Sequence, residues 1–190
     1  PKGVFGSGLL YFACIGTGFM MVQIPLIQRF SVYLGHPVYA VSVLLFSMII
    51  AAGLGSSLSD RIAVERDRRW TLALPLSIVA LISAIYLLSG PIIQATIDQG
   101  LLVRCVIVVL LVATAALPMG MCFPLGLRLF RQYSDDCLPW MWGVNGATGV
   151  LASVLAVAIS MWSGINTSLL VAIGCYALLI VPARALSKQH

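Results

Sequence analysis

The chain has 190 residues, of which 61% are hydrophobic and only 9% are charged, and its mean hydropathy is +1.04. Soluble domains carry about 25% charged residues, so this composition excludes an ordinary soluble protein. The formal net charge is +5. With so few charged residues, this excess indicates membrane topology and attraction to anionic headgroups, and we expect no nucleic-acid partner.

Continuous apolar runs recur along the chain, each close to the length of about 20 residues that a helix needs to cross a bilayer. They are rich in Leu, Ala, Val and Ile and are separated by short polar segments. We therefore predict an all-α integral membrane protein, a single domain with six transmembrane helices in one bundle. The predicted spans are residues 8–27, 38–58, 70–89, 101–123, 140–162 and 168–185.

Polar and charged side chains gather where the first span ends and the second begins: Gln23, Gln28, Arg29 and His36. Because intramembrane polar groups face the bundle interior or a cavity, one interpretation is a bundle-facing polar pocket near the outer surface. Arg29 would then bond to backbone carbonyls or to a polar partner on the fourth or fifth span. The alternative is structural. The Gln23 amide would satisfy the carbonyl that Pro25 leaves without a donor, and His36 would mark a helix entry before Pro37.

The loop after the second span carries a charged motif. Asp60 and Arg61 end the span, and a charged stretch continues to Arg69. Its placement resembles the cytoplasmic loop motif of the major facilitator superfamily. Ser56 stands where the first glycine of that motif belongs, and no glycine follows Arg61 at the expected spacing. The alternative is a solvated charged loop.

Prolines and glycines interrupt the fourth span near its end: Pro118, Gly120, Pro124 and Gly126. They predict a kink or, alternatively, a broken helix of the kind that forms ligand sites in membrane proteins. In the fifth span, Gly143, Gly146 and Gly149 form a stripe that suits close helix packing, and Asn145 beside it predicts a hydrogen bond between helices. Asn145 is also the fifth candidate for a polar pocket.

The eleven Lys and Arg residues divide unevenly between the two ends of the predicted bundle. Arg29 and Arg104 belong to one end. The other nine belong to the end with both termini and the loops 59–69 and 131–138. Since cytoplasmic loops carry the basic excess, we predict that both termini are cytoplasmic.

The sequence offers no constellation of catalytic or metal-binding residues. The five cysteines form no CxxC pair, and all six Asp and Glu residues lie in loops or at the ends of spans. This pattern does not favour a zinc site or a disulfide framework. We expect no metal, no cofactor and no catalytic residue, and we do not expect this chain alone to be an enzyme.

Three segments carry a family resemblance: residues 11–40, 117–130 and 139–157. Together they resemble the membrane domain of large bacterial proteins in which transmembrane spans are fused to a spermidine-synthase-like domain. The most specific parts are the runs 27–30, 35–37 and 142–146. In that family the position of Gln23 is often glutamate, so the chain departs from the pattern at an ionisable position.

This resemblance implies a multi-pass protein of the bacterial inner membrane and a polyamine-related, aminopropyltransferase-like domain outside these 190 residues. Because the chain begins at Pro1 without Met, we expect it to be part of a longer protein or complex. The functional hypothesis is a membrane module that anchors or scaffolds a soluble synthase-like domain or other membrane subunits. Two alternatives stay open: half of a facilitator-like small-molecule transporter, and an accessory subunit of a multi-subunit membrane complex.

Overall fold

The structure, a computed structural model, describes residues 2–62, 69–131 and 137–187, with side chains from residue 5 to residue 186 within these ranges. Every regular element in these ranges is a helix. In chain order they are α1 (Lys2–Leu34), α2 (Pro37–Ser59), α3 (Trp70–Thr96), α4 (Leu101–Arg131), α5 (Leu138–Ser163), α6 (Ile165–Leu178) and α7 (Ile180–Ser187). Much of the predicted loops 59–69 and 131–138 lies outside the described residues.

Six helical segments are long and apolar enough to cross a membrane, the sixth being α6 and α7 together over Ile165–Leu186. This confirms the prediction of an all-helical chain with six candidate spans. Several helices extend beyond the predicted spans. α3 continues through Gly90 and Pro91 to Thr96. The helix continues because a proline removes only one backbone hydrogen bond. The remaining backbone hydrogen bonds are needed to satisfy the polar groups of the chain in lipid.

The fourth span contains no helix break. α4 runs without interruption from Leu101 to Arg131, through Pro118 and Pro124. The broken-helix alternative considered from the sequence is therefore wrong. In the sixth span only Leu179 lies between α6 and α7, and its dihedral angles stay in the right-handed helical region, with its N–H donating to the Cys175 carbonyl at 3.0 Å. Pro182 lies three residues later and has no N–H to donate to the Leu178 carbonyl, which accounts for the local irregularity.

α1 is the central helix of the bundle. It packs against α2, α4, α5, α6 and α7. Of its most apolar stretch of 18 residues, 56% is buried, the largest buried fraction among the six candidate spans. Its buried side chains include Phe12, Leu26 and Phe30. The first span of the sequence is therefore the core of the fold.

Glycines set the closest approaches between helices. In the α2–α4 pair, Gly55 lies against the Leu117 carbonyl and Gly120 lies against the backbone of α2. In the α1–α5 pair, Gly16 lies against the Asn145 carbonyl. A β-carbon at any of these glycines would overlap backbone atoms of the neighbouring helix. Small residues of this kind let helix backbones pack directly in lipid.

Gly55→Ala tests this packing. The added methyl group would meet the Leu117 carbonyl, so the α2–α4 pair must separate, and we expect a destabilisation of about 1–3 kcal/mol. Gly53→Ala on the same helix is the matched control, because no atom lies within 4 Å of a β-carbon there. The better helix propensity of alanine should leave that variant as stable as the parent or more so. Thermal unfolding in detergent measures both, and equal effects would contradict the packing argument.

Candidate functional site

Arg29 connects three helices near the end of α1. It donates one N–H to Ser89 Oγ on α3 and another to Asn166 Oδ1 on α6. We call these three residues the Arg29 cluster, and the end of the bundle where they lie the Arg29 end. The opposite end is called the Asp60 end. The partners of Arg29 therefore belong to the third and sixth spans, and the predicted partner on the fourth or fifth span is wrong.

Tyr33, one helical turn beyond Arg29, makes a second set of connections. Its hydroxyl lies 2.6 Å from Thr96 Oγ1 on α3. Thr96 directs its own hydroxyl hydrogen to the Ile92 carbonyl, so Tyr33 is the donor. Arg104 on α4 donates to the Tyr33 carbonyl at 2.8 Å, and its guanidinium carbon lies 5.9 Å from the Tyr33 ring centroid. Tyr33 thus joins α1 to α3 and α4.

These side chains bridge helices whose backbones are apart. Over the described residues, α1 and α3 are not among the helix pairs with close backbone packing. The contacts from Arg29 to Ser89 and from Tyr33 to Thr96 cross that gap. Ser89 is completely buried, so its hydroxyl gains a partner that lipid does not provide. At this end, polar side chains connect the helices in place of the glycine contacts that bring α2 to α4 and α1 to α5.

The positive charge of Arg29 has no carboxylate partner among the described residues, where both of its hydrogen-bond partners are neutral. Asp98 is the one acidic residue of the sequence at this end of the bundle; the other five lie in or beside the loops of the Asp60 end. Asp98 is exposed. Arginine keeps its charge in proteins. The Arg29 cluster therefore holds a half-buried, uncompensated cation.

None of the other pocket candidates is a hydrogen-bond partner of Arg29, whose partners in the described chain are Ser89 and Asn166. Gln23 is buried, and Gln28 is half-buried with its Oε1 atom lacking a hydrogen-bond partner in the described chain. His36 is exposed rather than bundle-facing. It is the N-cap of α2, where its Nδ1 accepts from the Val38 N–H at 3.2 Å and Pro37 takes the first helical position. The helix-entry interpretation of His36 is confirmed.

Helix geometry places Gln23 apart from Gln28 and Arg29. Gln23 and Gln28 are separated by about 140° around α1, and Gln23 lies about 9 Å deeper than Arg29. Of the five candidates, only Arg29 belongs to the cluster. Its partners Ser89 and Asn166 were missed by sequence reasoning. The sequence gives only a weak indication of them: both are small polar residues close to the ends of their apolar runs, at the same end of the bundle.

Asn145 lies elsewhere, on a cleft of about 400 Å³ between α1, α4 and α5. Its Oδ1 atom is buried and has no hydrogen-bond partner among the described residues, so the expected bond between helices does not form through that oxygen. Gly146 and Val150 line the same cleft and are exposed, so the cleft opens at the bundle surface. Most of the lining is apolar: Ile15, Phe19, Met20, Met119, Phe123 and Val150.

At the Asp60 end, Arg128 is a second residue that sequence reasoning missed. It donates to the carbonyl oxygens of Ser59 and, at 3.4 Å, of Ile62. Carbonyls at a helix C-terminus lack partners within the helix, and a cation there is stabilised by the helix dipole. Arg128 thus joins α4 to the end of α2. The motif residues Asp60 and Arg61 are exposed beside this contact, and residues 63–68 of the charged loop lie outside the described residues.

Within the described parts of the chain, no group of three or more His, Cys, Asp and Glu side chains could hold a metal ion. Comparison of the sequence and structure with protein-family models, curated proteins and solved structures found no match. The resemblance to the membrane domain of spermidine-synthase-like fusion proteins therefore stays a hypothesis that rests on the segments quoted above.

Arg29→Ala should destabilise the protein more than Arg104→Ala. The first substitution removes two bonds that join α1 to α3 and α6 and leaves a buried serine without its donor. Hydrogen bonds to charged groups contribute about 1.5–3 kcal/mol. The second removes one bond to a backbone carbonyl and one ring contact. Thermal unfolding in detergent compares them, and equal, small losses would mean that Arg29 is only an interfacial anchor.

Proposed function

We propose that the chain is a membrane module that anchors or scaffolds a soluble synthase-like domain or other membrane subunits, and that it has no catalytic centre of its own. The supporting observation is the use of its polar side chains. Arg29, Tyr33 and Arg104 join helices to one another at one end, and Arg128 does so at the other. These groups hold the bundle together rather than converge on a reacting centre.

The packing of the interior agrees with this role. Large apolar side chains such as Phe12, Phe30 and Met119 are buried between the helices, and glycine contacts bring two helix pairs together at their backbones. Interiors packed in this way deform little. A module of this kind can therefore hold an attached domain in a fixed position at the membrane.

We further propose a bacterial inner-membrane location with both termini in the cytoplasm. The nine basic residues assigned to the Asp60 end support it, since cytoplasmic loops carry the basic excess. A synthase-like domain attached to either terminus would then lie in the cytoplasm. Polyamine precursors and the aminopropyl donor would reach it there without crossing the bundle.

Transport is the second candidate. The chain would be half of a facilitator-like carrier, which needs a second half or a second copy to enclose a pathway. The exposed pair Asp60 and Arg61 at the end of α2 favours it, as does the cleft that Asn145 lines. Because α4 is continuous, a broken fourth helix no longer argues for transport. Uptake of amines into proteoliposomes that is lost on Asp60→Ala would favour this candidate over the scaffold.

Copurification from native membranes tests the scaffold. The tagged chain should bring down one stoichiometric partner, either a synthase-like protein or a set of membrane subunits, and an unrelated six-span protein with the same tag should not. The purified chain alone should convert neither a polyamine nor an aminopropyl donor. Turnover without an added partner would overturn the proposal.

Cysteine labelling tests the orientation. Arg61 and Gln99 are both exposed and lie at opposite ends of the bundle. With the half-buried Cys105, Cys137 and Cys175 first replaced by alanine, an impermeant thiol reagent should modify Gln99→Cys but not Arg61→Cys in intact cells. Permeabilised cells should show both labelled. The reverse pattern in intact cells would mean that the termini lie outside.

A further inference from the structure

We propose that the Arg29 cluster binds a phosphate group, presented either by an anionic lipid headgroup or by a small phosphate-bearing solute. The inference goes beyond the scaffold role and does not depend on it. It starts from the charge of Arg29, which the described residues leave without a carboxylate, because Ser89 and Asn166 offer only neutral oxygens.

The Arg29 guanidinium has N–H groups that its two hydrogen bonds leave unused. An arginine carries five N–H groups, and the bonds to Ser89 and Asn166 use two of them. These two bonds fix the plane of the guanidinium and so aim the remaining donors. A planar arrangement of parallel N–H groups matches two oxygens of a phosphate. The orientation is set by the protein before any anion arrives.

Asn166 adds a donor to the same place. Its Oδ1 accepts from Arg29, which leaves its amide N–H₂ group available, and the residue is exposed. Asn166 belongs to the first turn of α6, whose N-cap Gly164 provides no side-chain hydrogen bond. Free backbone N–H groups and the helix dipole at such a terminus favour an anion. The charge of Arg29 defines the site, and the start of α6 strengthens it.

The depth of Arg29 in the bilayer argues for phosphate over other anions. The candidate span Phe5–Leu34 has 30 residues, or about 45 Å of helix, which is about the thickness of a bilayer with its headgroups. Arg29 precedes the last residue of that span, Leu34, by five residues, or about 7.5 Å. It therefore lies at the boundary between the headgroups and the hydrocarbon, where the phosphates of lipids are the most abundant anionic groups.

Asp98 does not compensate Arg29. It is the acidic residue assigned to this end of the bundle, and it is exposed beyond the end of α3. Within the described chain it makes no ion pair with Arg29, whose two side-chain partners are Ser89 and Asn166. Arg104, the other cation of this end, directs its guanidinium to the Tyr33 carbonyl and ring. It is therefore a matched control that carries the same charge in a different setting.

The first arm of the test uses lipid. The full chain is placed in nanodiscs that contain equal amounts of phosphatidylglycerol and phosphatidylcholine. It is then released for native mass spectrometry, and the retained lipids are counted. We expect the parent to retain phosphatidylglycerol preferentially. Arg29→Gln should weaken that retention by about tenfold or more, as expected for loss of charge-assisted hydrogen bonds. Arg104→Gln should change it less than about twofold, because the guanidinium of Arg104 is directed to the Tyr33 carbonyl and ring.

The second arm uses inorganic phosphate in detergent, with chloride at the same ionic strength as its control. A rise in the unfolding midpoint with phosphate that Arg29→Gln abolishes and Arg104→Gln keeps would identify a small solute as the source. Preferential lipid retention without that rise would identify a headgroup. The proposal is overturned if neither arm shows an effect that depends on Arg29, or if the two arginine variants behave alike.

Two further variants keep the test decisive if Arg29→Gln does not fold. Arg29→Lys retains the charge but lacks the planar fork, so it should bind with an intermediate affinity. Asn166→Ala removes one donor and the partner that orients Arg29, and it should weaken binding with the charge intact. Unchanged binding in both variants would show that no oriented site exists at the Arg29 cluster.

Discussion

The fold depends on direct contact between helix backbones. Lipid tails are as apolar as leucine, so the helices gain little by burying apolar side chains against one another. Association then requires contacts closer than lipid can make, and glycine permits them. Gly55 and Gly120 bring α2 and α4 together, and Gly16 brings α1 to α5. A further glycine of α1, Gly18, makes room for a side chain instead, the Tyr176 ring of α6.

Polar side chains act where the helices diverge. α1 and α3 are connected through Arg29 and Tyr33, and the end of α2 is connected to α4 through Arg128. Each of these residues lies near an end of its helix, where the long side chains of Arg29 and Arg128 can keep their charge close to the aqueous surface. The bundle is thus held by backbone contact along its length and by charge-assisted hydrogen bonds at its ends, so the two kinds of interaction do not compete for the same positions.

The sequence predicted the six candidate spans because their lengths and composition depend on local residues alone. It predicted the role of His36 for the same reason, since a helix entry before Pro37 is a local pattern. It did not predict that Arg29 meets Ser89 and Asn166, because composition and spacing do not say which helices are neighbours. The continuity of α4 through Pro118 and Pro124 was open as well, since a proline removes one bond and the packing of the whole helix decides whether the chain bends or breaks.

The packing at the end of the sixth span has a mechanical consequence. There α7 packs against α1, α3, α4 and α6, with Ala183 and Leu186 buried. A pull or a twist applied to α7 is therefore shared among four helices, including the central one, instead of passing along α6 alone. The end of the last span is thus seated on the core of the bundle, so a force on its last turns would reach the central helix α1 directly.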